Sequence, residues 1–389
     1  MDFFWKNPNW EKDDRHLSAL EAAPFQRGLP PVVLSPGVTL IRGPRQVGKS
    51  TWLKLLLKEQ VKQGIPSFYY TCEDLNDHKD LAALIQSQKN SICFFLDEVT
   101  FVDEWWRAIK KATDTDSKKI FVLTGSNSYD LRHGLDLMPG RWASQAGELL
   151  LLPMLFEEWS DMIHRAGWPK RPPLQQLRDF MRIGGFPSAL IEAGPDMKNP
   201  ENAKQNYSRW IIGDTIKLKR QELFMRELLG QLAKIMGNSV SLHGLAQKTQ
   251  LMSYHTVQDY LSILEQAFAL RSLYAYDPEK DVFHFKKEKK FYFSDPIIYW
   301  VAHELTGMKV PEDHEAQLAE MIAAEWLFRR YKRLGYYSNK NGEVDFLVGR
   351  EKAVEIKWSP IVNNLSKAFK QLTCPDKRVW HQESFFDIT

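Results

Sequence analysis

A glycine-rich loop near the N-terminus constrains this chain more than any other stretch. The loop reads Gly43-Pro44-Arg45-Gln46-Val47-Gly48-Lys49-Ser50-Thr51 and matches G-x-x-x-x-G-K-[ST] in full. An apolar run before it, Val38 to Ile41, predicts a buried strand, and a leucine-rich pattern after it predicts a helix. Backbone N–H groups of such a loop face phosphate oxygens, and the helix dipole favours their negative charge. The sequence therefore predicts a nucleotide-binding site.

The loop and a second, acidic motif together predict the chemistry of this site. We expect Lys49 to reach the β- and γ-phosphates of ATP and Ser50 to bind Mg²⁺. The apolar run Ile92 to Leu96 ends in the acid pair Asp97-Glu98. Asp97 is expected to hold Mg²⁺, directly or through water, and Glu98 to polarise the attacking water. The predicted cofactors are ATP and Mg²⁺, and the predicted reaction is hydrolysis of ATP.

Polar residues further along the chain are candidates for contacting the γ-phosphate and for adding an arginine to the nucleotide site. Asn127, or Ser126 beside it, follows a strand pattern and is a candidate contact of the γ-phosphate. Arg141 follows a Pro-Gly turn. If the subunits form a ring, Arg141 would face the nucleotide bound to the neighbouring subunit and stabilise negative charge in the transition state there. Arg132 is the alternative to Arg141. Ordinary turn and surface roles stay open for these residues.

Alternating strand and helix patterns predict the fold class and the division into domains. Continuous apolar strands separated by helices, from residue 38 to residue 152, predict a parallel three-layer α/β sheet with ligands at its carboxyl edge. A largely helical stretch follows. The predicted domains are a nucleotide-binding core at 1–160, a helical lid at 161–220, a winged helix-turn-helix at 221–295 and a smaller α/β domain at 296–389.

The composition excludes some classes of protein and leaves others open. A chain of 389 residues with a net charge of +3 needs several domains and is not basic enough overall to indicate nucleic acid binding by itself. Cys72, Cys93 and Cys374 lack metal-ligand spacing, and the first two are expected to be buried thiols. The N-terminus does not resemble a signal peptide, and no apolar run has membrane-spanning length. We expect a cytoplasmic protein without a membrane segment.

Residues 221–295 carry the pattern of a winged helix. Ser241 and Ser253 are expected to cap the second and third of three helices, and a hairpin pattern follows them. The hairpin carries the charge run Lys286-Lys287-Glu288-Lys289-Lys290. These lysines are candidates for contacts with phosphates, and a solvated charge run explains them equally well.

The C-terminal segment contains a second group of candidate site residues. Two alternating runs, 343–348 and 353–358, flank a turn at Gly349, and a three-residue loop would place Asp345 opposite Glu355. Lys357 would lie on the same face, which suits Mg²⁺ binding with the lysine holding a water. Glu320 or Glu325, from a preceding helix pattern, would complete the site. A charged solvent face on an edge hairpin is the alternative explanation.

These motifs together resemble the AAA-type (AAA+) ATPases of archaea and bacteria that carry a long C-terminal region. The resemblance implies an AAA+ sheet with a helical lid and places Arg141 at the arginine-finger position. It also implies that the C-terminal hairpin is similar to the PD-(D/E)XK nuclease fold, with Asp345, Glu355 and Lys357 at its site positions. Asn127 departs from the family, in which serine is frequent. The matching stretches, besides the loop, are 96–98, 123–128, 140–141, 184–187, 290–295, 343–346 and 355–357.

The function predicted from the residues and the resemblance is an ATP-driven motor. We expect a homo-oligomer, with a hexameric ring as one form, that translocates on or remodels double-stranded or branched DNA in the manner of a helicase or branch-migration motor. Two alternatives stay open. The first is a metal-dependent DNA nuclease coupled to an ATPase, acting in defence, and the second is a switch-like ATPase that acts on a protein partner.

Overall fold

The chain forms two compact units, Met1–Leu152 and Pro153–Thr389. The computed structural model describes residues 4–7, 9–125, 128–144, 147–249, 253–360 and 365–387. The unit boundary lies within eight residues of the predicted end of the nucleotide-binding core at 160. The finer division of the second unit at 220 and 295 stays a prediction.

The first unit alternates strands and helices as the apolar pattern predicted. Its elements are α1 (Trp10–Asp13), α2 (Arg15–Ala22), β1 (Gly37–Arg42), α3 (Lys49–Lys62), β2 (Ser67–Thr71), α4 (His78–Ser87), β3 (Cys93–Asp97), α5 (Trp105–Thr115), β4 (Ile120–Thr124), α6 (Ser128–Asp136) and β5 (Glu148–Leu150).

The five strands of this unit form one parallel sheet in the order β2-β3-β4-β1-β5. Every residue of β3 and β4 is buried, because these inner strands are covered on both faces. The predicted parallel α/β sheet is therefore confirmed. Cys72 and Cys93 are fully buried, as expected, whereas Cys374 in the second unit is half-buried.

The N-terminal helices are tied to the helix that follows the glycine loop. Asp14 caps α2 by accepting hydrogen bonds from the backbone N–H groups of His16 and Leu17. The other carboxylate oxygen of Asp14 accepts from Lys54 Nζ of α3 at 2.6 Å, and both side chains are largely buried. Removing one member of a buried ion pair typically costs about 3–5 kcal/mol, so this contact fixes α2 on the core.

The second unit is helical in its first half and mixed in its second half. Its elements are α7 (Phe156–Arg165), α8 (Pro173–Ile183), α9 (Pro187–Ala193), α10 (Glu201–Lys217), α11 (Glu222–Ile235), α12 (Leu242–Lys248), α13 (Tyr254–Gln266), β6 (Leu270–Asp277), β7 (Val282–Phe293), α14 (Pro296–Thr306), α15 (His314–Arg330), β8 (Leu334–Asn339), β9 (Gly342–Val348), β10 (Lys352–Ile356), α16 (Lys367–Gln371), β11 (Asp376–Trp380) and α17 (Ser384–Asp387).

The strands of the second unit form a single six-stranded sheet in the order β11-β10-β9-β8-β6-β7. The β6–β7 hairpin, which the sequence placed in the wing, joins the C-terminal strands through one parallel pair, Ala275 with Tyr336. Three helices precede the hairpin, and Ser241 and Ser253 cap α12 and α13 as predicted. Within the described ranges, no helix is long and apolar enough to cross a membrane.

A buried aspartate joins two of the motifs that the sequence singled out in this unit. Asp295 caps α14 by accepting a hydrogen bond from Ile297 N at 2.9 Å, and it also accepts one from Gly185 N at 2.7 Å. Gly184 has a φ of +83°, and a Cβ on it would lie 2.2 Å from Asp295 Oδ1. The turn at 184–187 therefore needs glycine because the aspartate packs directly against it.

We expect Asp295→Ala to loosen this turn. The substitution leaves the buried N–H groups of Gly185 and Ile297 without an acceptor, at a cost of about 1–3 kcal/mol for each group. Hydrogen exchange measured by mass spectrometry should show faster exchange in peptides covering 183–187 and 295–299. Asp196→Ala is the matched control because Asp196 is exposed and pairs with the equally exposed Lys198. Equal exchange in both variants would contradict the role given to Asp295.

Candidate functional site

The glycine loop has a backbone that glycine is needed to adopt. Gly43 and Gly48 have φ values of +154° and +106°. A Cβ on Gly43 would lie 1.9 Å from the carbonyl oxygen of Leu151, so no other residue fits there without backbone movement. The loop leads directly into α3, which begins at Lys49 and has Gly48 at its N-cap. Its N-terminus therefore points unsatisfied backbone N–H groups toward the space that phosphates would take.

Lys49 is folded back against the loop. Its side chain is largely buried, and Nζ donates hydrogen bonds to the carbonyl oxygens of Gly43 at 3.1 Å and Pro44 at 2.8 Å. Among the other loop residues, Val47 is buried in the core and Gln46 adopts a left-handed conformation with a φ of +60°. Thr51 continues α3 beside Ser50. The loop thus holds the positive charge of Lys49 close to the N-terminus of α3.

Asp97 is the centre of the hydrogen-bond network beside the loop. Its Oδ1 accepts from Ser50 Oγ at 3.1 Å and from Thr124 Oγ1, and its Oδ2 accepts from Tyr69 OH at 3.2 Å. The backbone N–H of Glu98 donates to the same Thr124 oxygen at 3.1 Å. Asp97 and Ser50, the two predicted Mg²⁺-binding residues, are therefore in direct contact.

Tyr69 and Thr124 were not predicted as members of this network. Tyr69 lies in β2, next to β3 in the sheet, and is largely buried. Burial and the charge of Asp97 raise the pKa of Tyr69 far above its ordinary value, so its hydroxyl stays a donor. A tyrosine within a buried strand needs a hydrogen-bond partner for its hydroxyl. The acid at the end of the next strand in the sequence could have been proposed as that partner.

The remaining predicted nucleotide-site residues differ in how the structure places them. Glu98 directly follows β3 and has a left-handed backbone with a φ of +52°. Arg141 makes a bidentate ion pair with Asp114, with Nε and Nη2 donating at 2.9 and 3.0 Å, and it also donates to the carbonyl of Pro139. Asn127 and Ser126 lie outside the described residues, and Arg132 lies in α6.

The donor set fits a magnesium-bound nucleotide. Mg²⁺ prefers oxygen ligands and keeps several waters, and Ser50 and Asp97 supply adjacent oxygens next to the helix N-terminus. Three hydroxyls, those of Ser50, Tyr69 and Thr124, donate to the Asp97 carboxylate, and because a carboxylate has about four acceptor positions it could also accept from a metal-bound water.

The C-terminal acidic residues lie on the predicted hairpin. Strands β9 and β10 pair Phe346 with Val354, and Asp345 and Glu355 are the next residues along the two strands, on the side where the sequence predicted that they face each other. Asp345 Oδ2 accepts from Ile356 N at 2.9 Å, and Glu355 Oε1 lies 3.0 Å from Lys357 Nζ. Burial and the charge of Asp345 raise the pKa of Glu355. The structure therefore brings these two acids and Lys357 together.

Of the two candidate helix carboxylates, Glu320 lies beside this group and Glu325 does not. Glu325 is held by Arg271 at 2.9 and 3.1 Å and by Arg329 at 2.8 Å. Although burial opposes them, Arg329 and Arg271 lower the pKa of Glu325. Including Glu325 in the site was therefore wrong. Five residues separate the two glutamates, which turns their side chains by about 140° around the helix.

The charge run of the hairpin is divided between solvent and core. Lys286 and Lys287 are exposed, whereas Lys290 is 1% exposed and lies among acidic side chains. Its Nζ lies 2.6 Å from Glu343 Oε1 and 3.3 Å from both Glu320 Oε1 and Asp345 Oδ1. Although burial opposes it, the surrounding groups raise the pKa of Lys290 well above its ordinary value. The prediction that Lys290 contacts phosphates is therefore wrong, because its ammonium group has no access to them.

Comparison with known families agrees with the nucleotide site. A family model described as an AAA domain matches residues 35–160. A second model, described as a domain of unknown function (DUF8612), matches residues 174–309 and so runs across the predicted boundaries at 220 and 295. An uncharacterized protein of Haemophilus influenzae is 27% identical over 82% of this chain and 81% of its own length. An uncharacterized protein of Methanocaldococcus jannaschii is 22% identical over 85% of this chain and 76% of its own length.

Similar solved structures include several ATPases. The Walker-type ATPase of Pyrococcus abyssi has a TM-score of 0.48 and 16% identity, covering 76% of this chain and 95% of that one. The RuvB Holliday junction branch migration motor of Thermotoga maritima has a TM-score of 0.31 and 19% identity, covering 68% and 89%. TM-scores of this size do not establish a shared fold. The fold assignment rests instead on the strand order and the loop geometry, which are those of a P-loop α/β sheet, and the AAA-domain model matches this same part of the chain.

Proposed function

We propose that this protein hydrolyses ATP and uses the energy to move along or remodel double-stranded or branched DNA. The observation that carries the ATPase part is the contact of Ser50 with Asp97 at the N-terminus of α3, with Glu98 next in the chain. The donors and acceptors there match the charge distribution of a magnesium nucleotide. The DNA part rests on the exposed aromatic and basic residues of the β6–β7 hairpin.

Each residue of the nucleotide site has a distinct role in this proposal. The α3 N-terminus and Lys49 would hold the β- and γ-phosphates, and Ser50 with Asp97 would hold Mg²⁺, which neutralises charge on the phosphates when bound. Glu98 would accept a proton from the attacking water. Tyr69 and Thr124 fix the orientation of the Asp97 carboxylate by donating to its two oxygens.

We expect Glu98→Gln to abolish turnover and keep nucleotide binding. Glutamine retains the size of the side chain and loses the ability to take a proton, so kcat should fall by about 10²–10⁴-fold while the Kd for ATP changes little. Phosphate release and binding of a fluorescent ATP analogue measure the two effects. Glu104→Gln is the matched control, because Glu104 has a similar left-handed backbone and pairs with Arg107. A Glu98→Gln protein with normal turnover would refute the assignment.

Arg141 tests the proposal that the protein works as a homo-oligomer, with a hexameric ring as one form. An arginine that reaches a neighbour's nucleotide contributes about 10³-fold or more to turnover, so Arg141→Ala should lose activity and retain ATP binding. Asp114→Asn removes the ion pair of Arg141 without removing the arginine, and it should stay active.

Mixing Arg141→Ala with inactive Lys49→Ala should restore some turnover, because some interfaces then combine an intact loop with an intact arginine. Equal losses in Arg141→Ala and Asp114→Asn would instead assign Arg141 a role in folding.

The surface proposed for DNA is a bulge on the outer strand of the second sheet. The register of β6 and β7 passes from Tyr274 with Lys289 to Ala275 with His284, so residues 285–288 have no partner on β6. Phe285 is 64% exposed, and its ring packs edge-on against Tyr274 at 5.1 Å. The exposed Lys286 and Lys287 follow directly. Exposed rings beside lysines suit contacts with bases and phosphates, respectively.

We expect the double substitution Lys286→Ala/Lys287→Ala to weaken DNA binding and reduce its salt dependence. Each phosphate contact contributes about 0.9 to the slope of log K against log salt, so losing both should reduce the slope by about 1.8. Fluorescence anisotropy with labelled duplex and four-way junction DNA measures the change. Lys198→Ala/Lys309→Ala, which removes two exposed lysines elsewhere in the unit, is the control. An unchanged slope would exclude this bulge as the DNA contact.

DNA-stimulated ATP turnover separates the motor from the switch-like ATPase. A motor on DNA should hydrolyse ATP faster when duplex or branched DNA is present. Turnover that depends on Glu98 and does not respond to any DNA would support an ATPase that acts on a protein partner.

A further inference from the structure

The buried Lys290 lies where the acidic side chains of the C-terminal candidate site converge. Its ammonium group contacts three carboxylates, those of Glu320 on α15 and of Glu343 and Asp345 on β9, at 2.6–3.3 Å. The Tyr336 ring lies 5.7 Å away. An ammonium group has three donors, so each of its hydrogens can face one of these carboxylates.

Neighbouring groups donate to some of the remaining acceptor positions of these acids. Glu320 Oε1 also accepts from Tyr292 OH at 2.6 Å, and Asp345 Oδ2 accepts from Ile356 N. On the adjacent strand, Glu355 Oε1 is paired with Lys357, and Glu355 Oε2 is buried without a hydrogen-bond partner. Lys290 lies where the carboxylates meet, so Mg²⁺ or Mn²⁺, which bind several oxygen ligands in a near-octahedral shell, would have to displace its ammonium group to use them together.

A divalent ion on the same carboxylates would also be close to a fixed positive charge. An ion bound at about 2.1 Å to oxygens that themselves lie near the ammonium would be only a few ångströms from it, in surroundings that screen charge poorly. Across the described ranges, no three acidic, histidine or cysteine side chains are arranged to hold a metal ion. The residues present therefore do not fit the metal that a nuclease of this type would need.

We infer that Lys290 is the resident cation of this acidic group, in place of a divalent metal, and that the second unit does not cleave DNA there. The three carboxylates and Lys290 instead join α15, β7 and β9 by a buried ionic contact. A neutral side chain at position 290 would leave the carboxylates uncompensated and turn the group into a site for a divalent cation.

Mn²⁺ binding to the nucleotide-free full chain tests this inference. Ser50→Ala serves as the background in every sample, because it removes one of the two proposed metal ligands of the nucleotide site. In this background we expect no bound Mn²⁺ by electron paramagnetic resonance and no cleavage of labelled DNA with Mn²⁺. Lys290→Met keeps the length of the side chain and removes its charge, and it should gain about one bound Mn²⁺ per chain. Lys357→Met is the matched control and should gain none, because Lys357 contacts only Glu355 in the group.

Three results would overturn the inference. The first is Mn²⁺ binding in the Ser50→Ala background that disappears on adding Asp345→Asn. The second is DNA cleavage in the Ser50→Ala background that Asp345→Asn abolishes. The third is a folded Lys290→Met protein, with wild-type circular dichroism, that binds no Mn²⁺. If Lys290→Met does not fold, the first two measurements still decide the matter, and both are independent of ATP hydrolysis.

Discussion

The carboxylate of Asp97 joins four elements of the first unit, and the nucleotide site depends on it. It lies at the end of β3 and accepts hydrogen bonds from α3, β4 and β2 through Ser50, Thr124 and Tyr69. A buried carboxylate is stable only when donors of this kind replace its hydration. The same three donors therefore satisfy the aspartate and fix the position of the first turn of α3 relative to the strand that carries Glu98.

Local patterns in the sequence predicted the parts of the structure that local chemistry decides. The glycine loop, the strand positions and the caps by Ser241 and Ser253 follow from residues a few positions apart. The approach of Asp345 to Glu355 follows from a three-residue turn and a period of two. Each of these features needs only a short stretch of chain.

Contacts between distant stretches could not be predicted in this way. Lys290 and Lys286 belong to one charge run, yet only Lys290 is buried, because its acidic partners are 30 to 55 residues further along the chain. Tyr69 reaches Asp97 only because β2 and β3 are neighbours in the sheet. One of the two arginines that hold Glu325, Arg271, lies 54 residues earlier, so this contact could not be predicted either and both Glu320 and Glu325 stayed candidates.

The two acid-bearing sites of the chain differ in where their positive charge originates. In the proposed nucleotide site, Asp97 contacts Ser50 in the first turn of α3, where the helix N-terminus attracts phosphate, so the charge there would be supplied and removed with a nucleotide and its metal. In the second unit, the charge is covalently attached as Lys290 and cannot exchange with solution. A site that must change state during turnover benefits from an exchangeable cation, whereas a contact that holds a helix and two strands together benefits from a permanent one. The proposed chemistry therefore belongs to the first unit, whereas the contacts of Lys290 hold α15, β7 and β9 together.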